Sequence, residues 1–151
     1  MFLEANERLF DRLSNELRLL SPEMYRRYSQ VDQYLTGDLR QLGGAWHGMA
    51  LNRQIGVDNK VHQDWQDDIK GFNAVVPWGN WEGGELTMWP LKLRWQLQPG
   101  DAVFFAGSVI AHGVEDVSTG VRNSLDLFTH RSSVKWAEKQ GVKAGKVKQY
   151  K

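Results

Sequence analysis

The feature that most constrains this chain is a change of hydrophobic period at Gly43-Gly44. Before the two glycines apolar residues recur every three or four positions; after them, short β-branched and aromatic runs alternate with turn residues. Helical texture first and strand texture afterwards is the pattern of a sheet protein with its helices segregated to one side. Phe2, Leu9, Leu13, Leu17 and Leu20 stand at helical spacing with charged residues between them, which predicts an amphipathic helix over 2–20. Ser21-Pro22-Glu23 has the form of an N-cap, a first-turn proline and a first-turn acid. A second helix is therefore expected from Ser21 to about Leu35, burying Met24, Tyr25, Tyr28, Val31 and Leu35.

Eight short strands are expected beyond the glycines: 45–51, 60–64, 72–78, 85–89, 92–97, 102–106, 112–117 and 122–130. Glu82-Gly83-Gly84 and Pro99-Gly100-Asp101 supply turns between them. The expected class is mainly β with N-terminal helices (α+β), built on a double-stranded β-helix, a jelly-roll or cupin-like barrel. At 151 residues the chain suits one domain. Its expected parts are a helical cover over 1–36, a barrel core over 45–130 and a basic tail over 131–151. That tail carries Arg131 and six lysines against Glu138 alone, and is read as a solvated end able to touch phosphate.

Cysteine is absent, which excludes disulfides, thiolate metal sites and thiol nucleophiles and leaves His, Asp and Glu as metal ligands. A formal net charge of +1 excludes a molecule that binds nucleic acid by global charge alone. No apolar run reaches the roughly 18 residues of a membrane span, and Glu4, Glu7 and Arg8 do not fit a signal peptide. The expectation is a soluble intracellular protein, nuclear or cytoplasmic, with no membrane partner.

Val61-His62-Gln63-Asp64 is the stretch with metal chemistry. In an extended segment His62 and Asp64 emerge on one side, about 7 Å apart at the backbone. A second imidazole would complete a two-histidine, one-carboxylate triad, the donor set that leaves open positions on non-haem Fe(II). His47, His112 and His130 remain to supply it. His112 is favoured because it opens a strand of its own, 48 residues past Asp64. Structural roles are expected for His47 and His130. Ten residues beyond His112, Arg122 starts the last strand and shares a face with Ser124 and Asp126 by the period-two rule. An inward arginine beside a metal calls for an anion, and the distal carboxylate of 2-oxoglutarate fits, with Ser124 adding a hydrogen bond. Asp126 then points inward, toward Arg122 or a substrate amine, unless the register slips by one.

The order His62-x-Asp64, His112, Arg122, with the turns Glu82-Gly83-Gly84-Glu85-Leu86 and Pro99-Gly100-Asp101, resembles the Fe(II)/2-oxoglutarate-dependent dioxygenases. Leu20-Ser21-Pro22-Glu23-Met24-Tyr25, the stretch 72–86, and Arg122-Asn123-Ser124 through Phe128-Thr129-His130 are similar to the TET/JBP-type members, especially the fungal ones. The likeness spans about residues 17–135. It implies Fe(II) held by His62, Asp64 and His112, 2-oxoglutarate clamped by Arg122 and Ser124, O2 as oxidant, and hydroxylation of a C–H bond. It further implies, as partner, DNA or RNA carrying a methylated base, with a 5-methylcytosine or thymine methyl group oxidised. Asn52-Arg53-Gln54 ahead of the His-Gln-Asp triplet is similar to the AlkB-type Asn-x-Tyr pattern, with glutamine in place of tyrosine, and implies a co-substrate contact from Asn52. Trp65, Trp78, Trp81 and Trp89 flank the cleft, where core filling is the first expectation and base stacking the second. Two other functions remain open on the same residues: a prolyl-hydroxylase-like or small-molecule hydroxylase, and a non-catalytic β-barrel module docking nucleic acid through its tail.

Overall fold

The computed structural model describes residues 2–35, 41–56 and 60–143. The chain divides into two compact units, one formed by residues up to Gly48 together with those from Thr129 onward, the other by Met49–Phe128. This division differs from the expected sequence of cover, barrel and tail. The C-terminal segment belongs with the N-terminal helices.

In the first unit the long helix read from periodicity is two helices, α1 (Phe2–Ala5) and α2 (Glu7–Leu20). Asn6 interrupts them, its side-chain amide donating to the Phe2 carbonyl at 2.8 Å in place of a continued helix. Phe10, Leu13 and Leu17 form the buried stripe, while Phe2 and Leu20 are exposed. The helix α3 (Pro22–Ser29) starts at the proline as expected, although Ser21 makes no side-chain cap bond. It stops short of Leu35, giving way to a 3-10 turn at Asp32–Tyr34. Met24, Tyr28 and Val31 are buried, with the Tyr28 ring edge-on to the fully buried Trp46 at 6.0 Å.

The segment expected to be a solvated tail is helical over Arg131–Lys143 (α4), with Val134 and Ala137 buried. Arg27 reaches Glu138 at 2.8 Å and Tyr34 stacks edge-on against Trp136 at 6.3 Å. Periodicity explains the correction: Val134 and Ala137 lie three apart on one side of a lysine-rich stretch, enough to seat a helix. Lysines 146, 148 and 151 lie outside the described residues.

Among the described residues the second unit holds seven strands: β1 (Gly48–Gly56), β2 (Asn73–Gly83), β3 (Leu86–Met88), β4 (Leu93–Trp95), β5 (Val103–Phe105), β6 (His112–Val114) and β7 (Val117–Phe128). They form a four-stranded sheet ordered β1-β7-β2-β5 and a three-stranded sheet ordered β4-β3-β6. The pairings β2–β5, β2–β7, β3–β4 and β3–β6 are antiparallel. Among the described residues the strands lie in two sheets, seven strands where eight were expected. The stretch 60–64, expected to be a strand, makes one isolated bridge, His62↔His112.

Register decides which side chains face inward. Val75 pairs with Asp126, Pro77 with Ser124 and Gly79 with Arg122, so these residues share one face. On that face Asn73 and Val75 also stand opposite Phe105 and Val103 of β5. Val103 and Phe105 pack with Leu86 and Met88 of the other sheet and with Leu97, and Val75 joins the edge of that cluster. The polar triplet Arg122, Ser124, Asp126 therefore lies on the same surface as the apolar core of this unit, facing inward. The opposite face of β7 is covered as well, since Leu125 and Leu127 are buried.

Candidate metal centre

Among the described residues the potential metal ligands that gather are His62, Asp64 and His112, their ligand atoms within 4.8 Å of one another. Two backbone devices position them. His62 and His112 exchange both main-chain hydrogen bonds, at 2.9 and 3.0 Å, and the Asp64 amide donates to the Gly107 carbonyl at 3.0 Å. The imidazoles are then fixed by carbonyls two residues upstream: His62 Nδ1 lies 2.9 Å from the Lys60 oxygen and His112 Nδ1 2.8 Å from the Ile110 oxygen. A carbonyl only accepts, so each Nδ1 carries the proton and each Nε2 presents a lone pair. Those Nε2 atoms stand 3.8 Å from Asp64 Oδ1 and 3.7 Å from Asp64 Oδ2, too far for a hydrogen bond. Burial is the main influence on His112 and lowers its pKa, which favours the neutral, ligating form. Acceptor atoms turned toward one another in this way favour a cation among them. The donor set, two imidazoles and a carboxylate, fits Fe(II).

Two residues that support Asp64 carry no motif in the sequence. Asn73 donates through Nδ2 to Asp64 Oδ2 at 2.7 Å and to Asp67 Oδ2 at 2.9 Å. Gly107 leaves room for the carboxylate, since a Cβ there would lie 2.3 Å from Asp64 Oδ2. Asn73 is the second residue of an expected strand and Gly107 follows another, positions that read as ordinary strand ends.

Arg122 is 3% exposed, and its Nε and Nη2 are buried with no hydrogen-bond partner. Trp81 supports it, the guanidinium carbon lying 5.9 Å from the ring centroid. Gly84, at φ +65°, is close enough that a Cβ would meet Arg122 Cδ at 3.0 Å. Burial lowers the Arg122 pKa, with Asp126 opposing that shift. An arginine so placed, with donors unspent, is a seat for an anion. Ser124 is buried beside it on the same strand face.

Asp126 faces inward as the unshifted register predicts. Its Oδ2 accepts from Asn52 Nδ2 at 2.5 Å, while its Oδ1 is buried without a partner. Burial raises its pKa to about 6; hydrogen bonds from Ser124 and Asn52 and the Arg122 charge oppose this, and the Asp64 charge adds to it. Asn52 is thus engaged with Asp126, and with Ser124 Oγ at 3.5 Å. Gln54 donates to the Glu115 carbonyl at 3.1 Å. Trp65, Trp78 and Trp89 are 69%, 39% and 43% exposed, so the expectation that they fill the core is corrected. His47 has a structural place in the first unit. It accepts from Gln41 Nε2 at 2.6 Å and faces Thr129 Oγ1 at 2.9 Å, with burial pushing its pKa down to about 4.

No family model matches the chain, and no curated protein matches it by sequence. Two solved structures are similar to it in fold. NgTET1, solved in complex with 5mC DNA, matches with a TM-score of 0.71 at 23% identity, over 85% of this chain and 50% of that one. A 2OG-Fe(II) oxygenase family protein from Burkholderia pseudomallei matches with a TM-score of 0.46 at 23% identity, over 53% of this chain and 41% of that one. The chain has the fold of NgTET1 and spans about half its length. Among the described residues no helix is long and apolar enough to cross a membrane.

Proposed function

We propose that the protein is a TET/JBP-like Fe(II)/2-oxoglutarate-dependent dioxygenase that hydroxylates the methyl group of a methylated pyrimidine in DNA or RNA. The observation that carries this reading is the pairing of an acceptor-only triad with a buried arginine whose donors are unspent. The reading includes a double-stranded β-helix; two antiparallel sheets sharing one apolar cluster and the likeness of fold to NgTET1 support it.

Fe(II) bound with 2-oxoglutarate and O2 supplies an oxidant able to take a hydrogen atom from carbon, with succinate and CO2 as co-products. The chain does the rest. His62 and His112 offer their Nε2 atoms because backbone carbonyls accept from Nδ1 and fix the ring orientation, and Asp64 offers a carboxylate steadied by Asn73. Arg122 and Ser124 hold the distal carboxylate of the co-substrate, and Asn52 acts by positioning Ser124 and Asp126. Exposed Trp65, next to Asp64 in sequence, offers a ring on which an extruded base can stack.

An anaerobic spectrum of the protein with Fe(II) and 2-oxoglutarate is expected to show the metal-to-ligand charge-transfer band, lost when His62→Ala and Asp64→Ala are combined. Mass spectrometry of oligonucleotides with one methylated pyrimidine is expected to find a +16 product. An unchanged band in the double variant would remove the metal assignment, and a +16 product on peptides alone would move the substrate to the prolyl-hydroxylase type.

A further inference from the structure

Asp67 is a buried carboxylate that the proposed chemistry does not use, three residues past the ligand Asp64 and 5% exposed. A turn brings it back beside that ligand. The Asp67 amide donates to the Asp64 carbonyl at 2.9 Å, while the Asp64 amide is tied to the Gly107 carbonyl at 3.0 Å. Both carboxylates thereby reach one side-chain amide. Asn73 Nδ2 carries two hydrogens, and the two are divided between Asp64 Oδ2 at 2.7 Å and Asp67 Oδ2 at 2.9 Å. Gly107 floors the same spot, because a Cβ there would crowd Asp64 Oδ2 and lie 2.6 Å from Asn73 Nδ2.

An asparagine held by one hydrogen bond can still turn its amide over, aiming the carbonyl where the N–H had been. Held by two carboxylates, it cannot. A flipped Asn73 would set its oxygen against Asp64 and Asp67 together, two acceptor pairs in place of two hydrogen bonds. Asp67 is not one of the residues whose ligand atoms gather at the centre, so its effect on an ion passes through Asn73. We infer that Asp67 is a positioning residue, which keeps the Asn73 N–H on Asp64 Oδ2 and so fixes the plane of the ligating carboxylate without touching the ion. This rests on the reading of His62, Asp64 and His112 as a metal site. Its signature is coupling: whatever Asp67 adds to metal binding disappears once Asn73 is gone.

The test titrates Co(II) anaerobically into the full chain and follows its visible absorption, which reports affinity and ligand geometry together. Asp67→Ala is expected to weaken binding about tenfold and to alter the shape of the visible bands, as loss of a group behind a metal ligand does. Asn73→Ala is expected to cost about 10–100-fold, and the double variant no more than Asn73→Ala alone. Losses that multiply in the double variant would make Asp67 independent of Asn73 and overturn the inference. Unchanged affinity and bands in Asp67→Ala would overturn it as well. Circular dichroism checks that each variant is folded; where Asp67→Ala is not, Asp67→Ser takes its place in the same cycle and the same outcomes decide. The wild-type titration judges the parent reading separately, because a chain that takes up no Co(II) removes the metal site and not Asp67 alone.

Discussion

His62 and His112 are bound to each other through both main-chain groups, and this mutual bridge sets their rings 4.5 Å apart. The two imidazoles are thus placed by backbone, and their side chains can be removed without undoing the bridge. His62→Ala, Asp64→Ala and His112→Ala are each expected to keep the circular dichroism of the wild type while weakening Co(II) or Fe(II) binding at least a hundredfold. Calorimetry under anaerobic conditions checks this, and metal affinity retained in all three would place the ion elsewhere.

Support around Asp64 predicts a graded loss. Asn73→Ala removes a donor from the ligating carboxylate and is expected to weaken metal binding by about 10–100-fold. Gly107→Ala forces a methyl against Asp64 Oδ2 and is expected to do at least as much, through geometry alone. Affinity for Co(II) measured by absorption titration distinguishes the two from wild type.

Arg122 predicts opposite effects on stability and on ligand response. Replacing a buried, incompletely paired guanidinium with an apolar side chain of similar length often stabilises a protein by about 1–4 kcal/mol. Arg122→Met is therefore expected to melt at or above the wild-type temperature in the absence of ligand. Addition of 2-oxoglutarate with Zn(II) is expected to raise the melting temperature beyond that of Zn(II) alone only in the wild type. An equal rise in the variant would place the anion away from Arg122.

Two half-buried groups push the pH dependence of stability in opposite directions. His47 has its pKa lowered from 6.5 to about 4, so the unfolded chain binds the extra proton first. Its contribution is present above pH 6.5 and is lost as pH falls toward 4, on the order of 2–3 kcal/mol. Asp126 has its pKa raised from 3.8 to about 6, so the folded chain holds the proton longer. Its contribution is present below pH 3.8 and is lost as pH rises through 6, on the order of 2–3 kcal/mol. Urea denaturation at pH 5 and pH 8 is expected to show Asp126→Asn stabilised relative to wild type at pH 8, with a smaller gain at pH 5. His47→Gln is expected to flatten the loss of stability on acidification. A gain for Asp126→Asn that does not change with pH would contradict its assigned shift.

That His62, Asp64 and His112 would come together was legible because the signal is local. His62 and Asp64 are two residues apart, and His112 opens a run with strand character, so ligand type and phase both show in the letters. Arg122, Ser124 and Asp126 were legible for the same reason, since a strand alternates faces whatever surrounds it. Asn73 and Gly107 were not. Their roles come from contacts across 9 and 43 positions of chain, and neither residue type distinguishes a carboxylate cradle from a strand end. The fold showed its helices-then-strands order but not its edges. Asn6 splits a periodic run through a local side-chain bond, 60–64 pairs at one point only, and α4 hides an apolar seat beneath lysines.

The isolated bridge at His62 carries one more consequence. A segment tied at separate points, the His62 rung and the Asp64–Gly107 hydrogen bond, has fewer ladder bonds to break than a long strand, so residues 62–64 are expected to open locally more readily than β2 or β7. An ion shared with His112 would clip the two chain segments together, and coordination would appear as slowed amide hydrogen exchange at residues 62–64 and 112 well before any change in global melting.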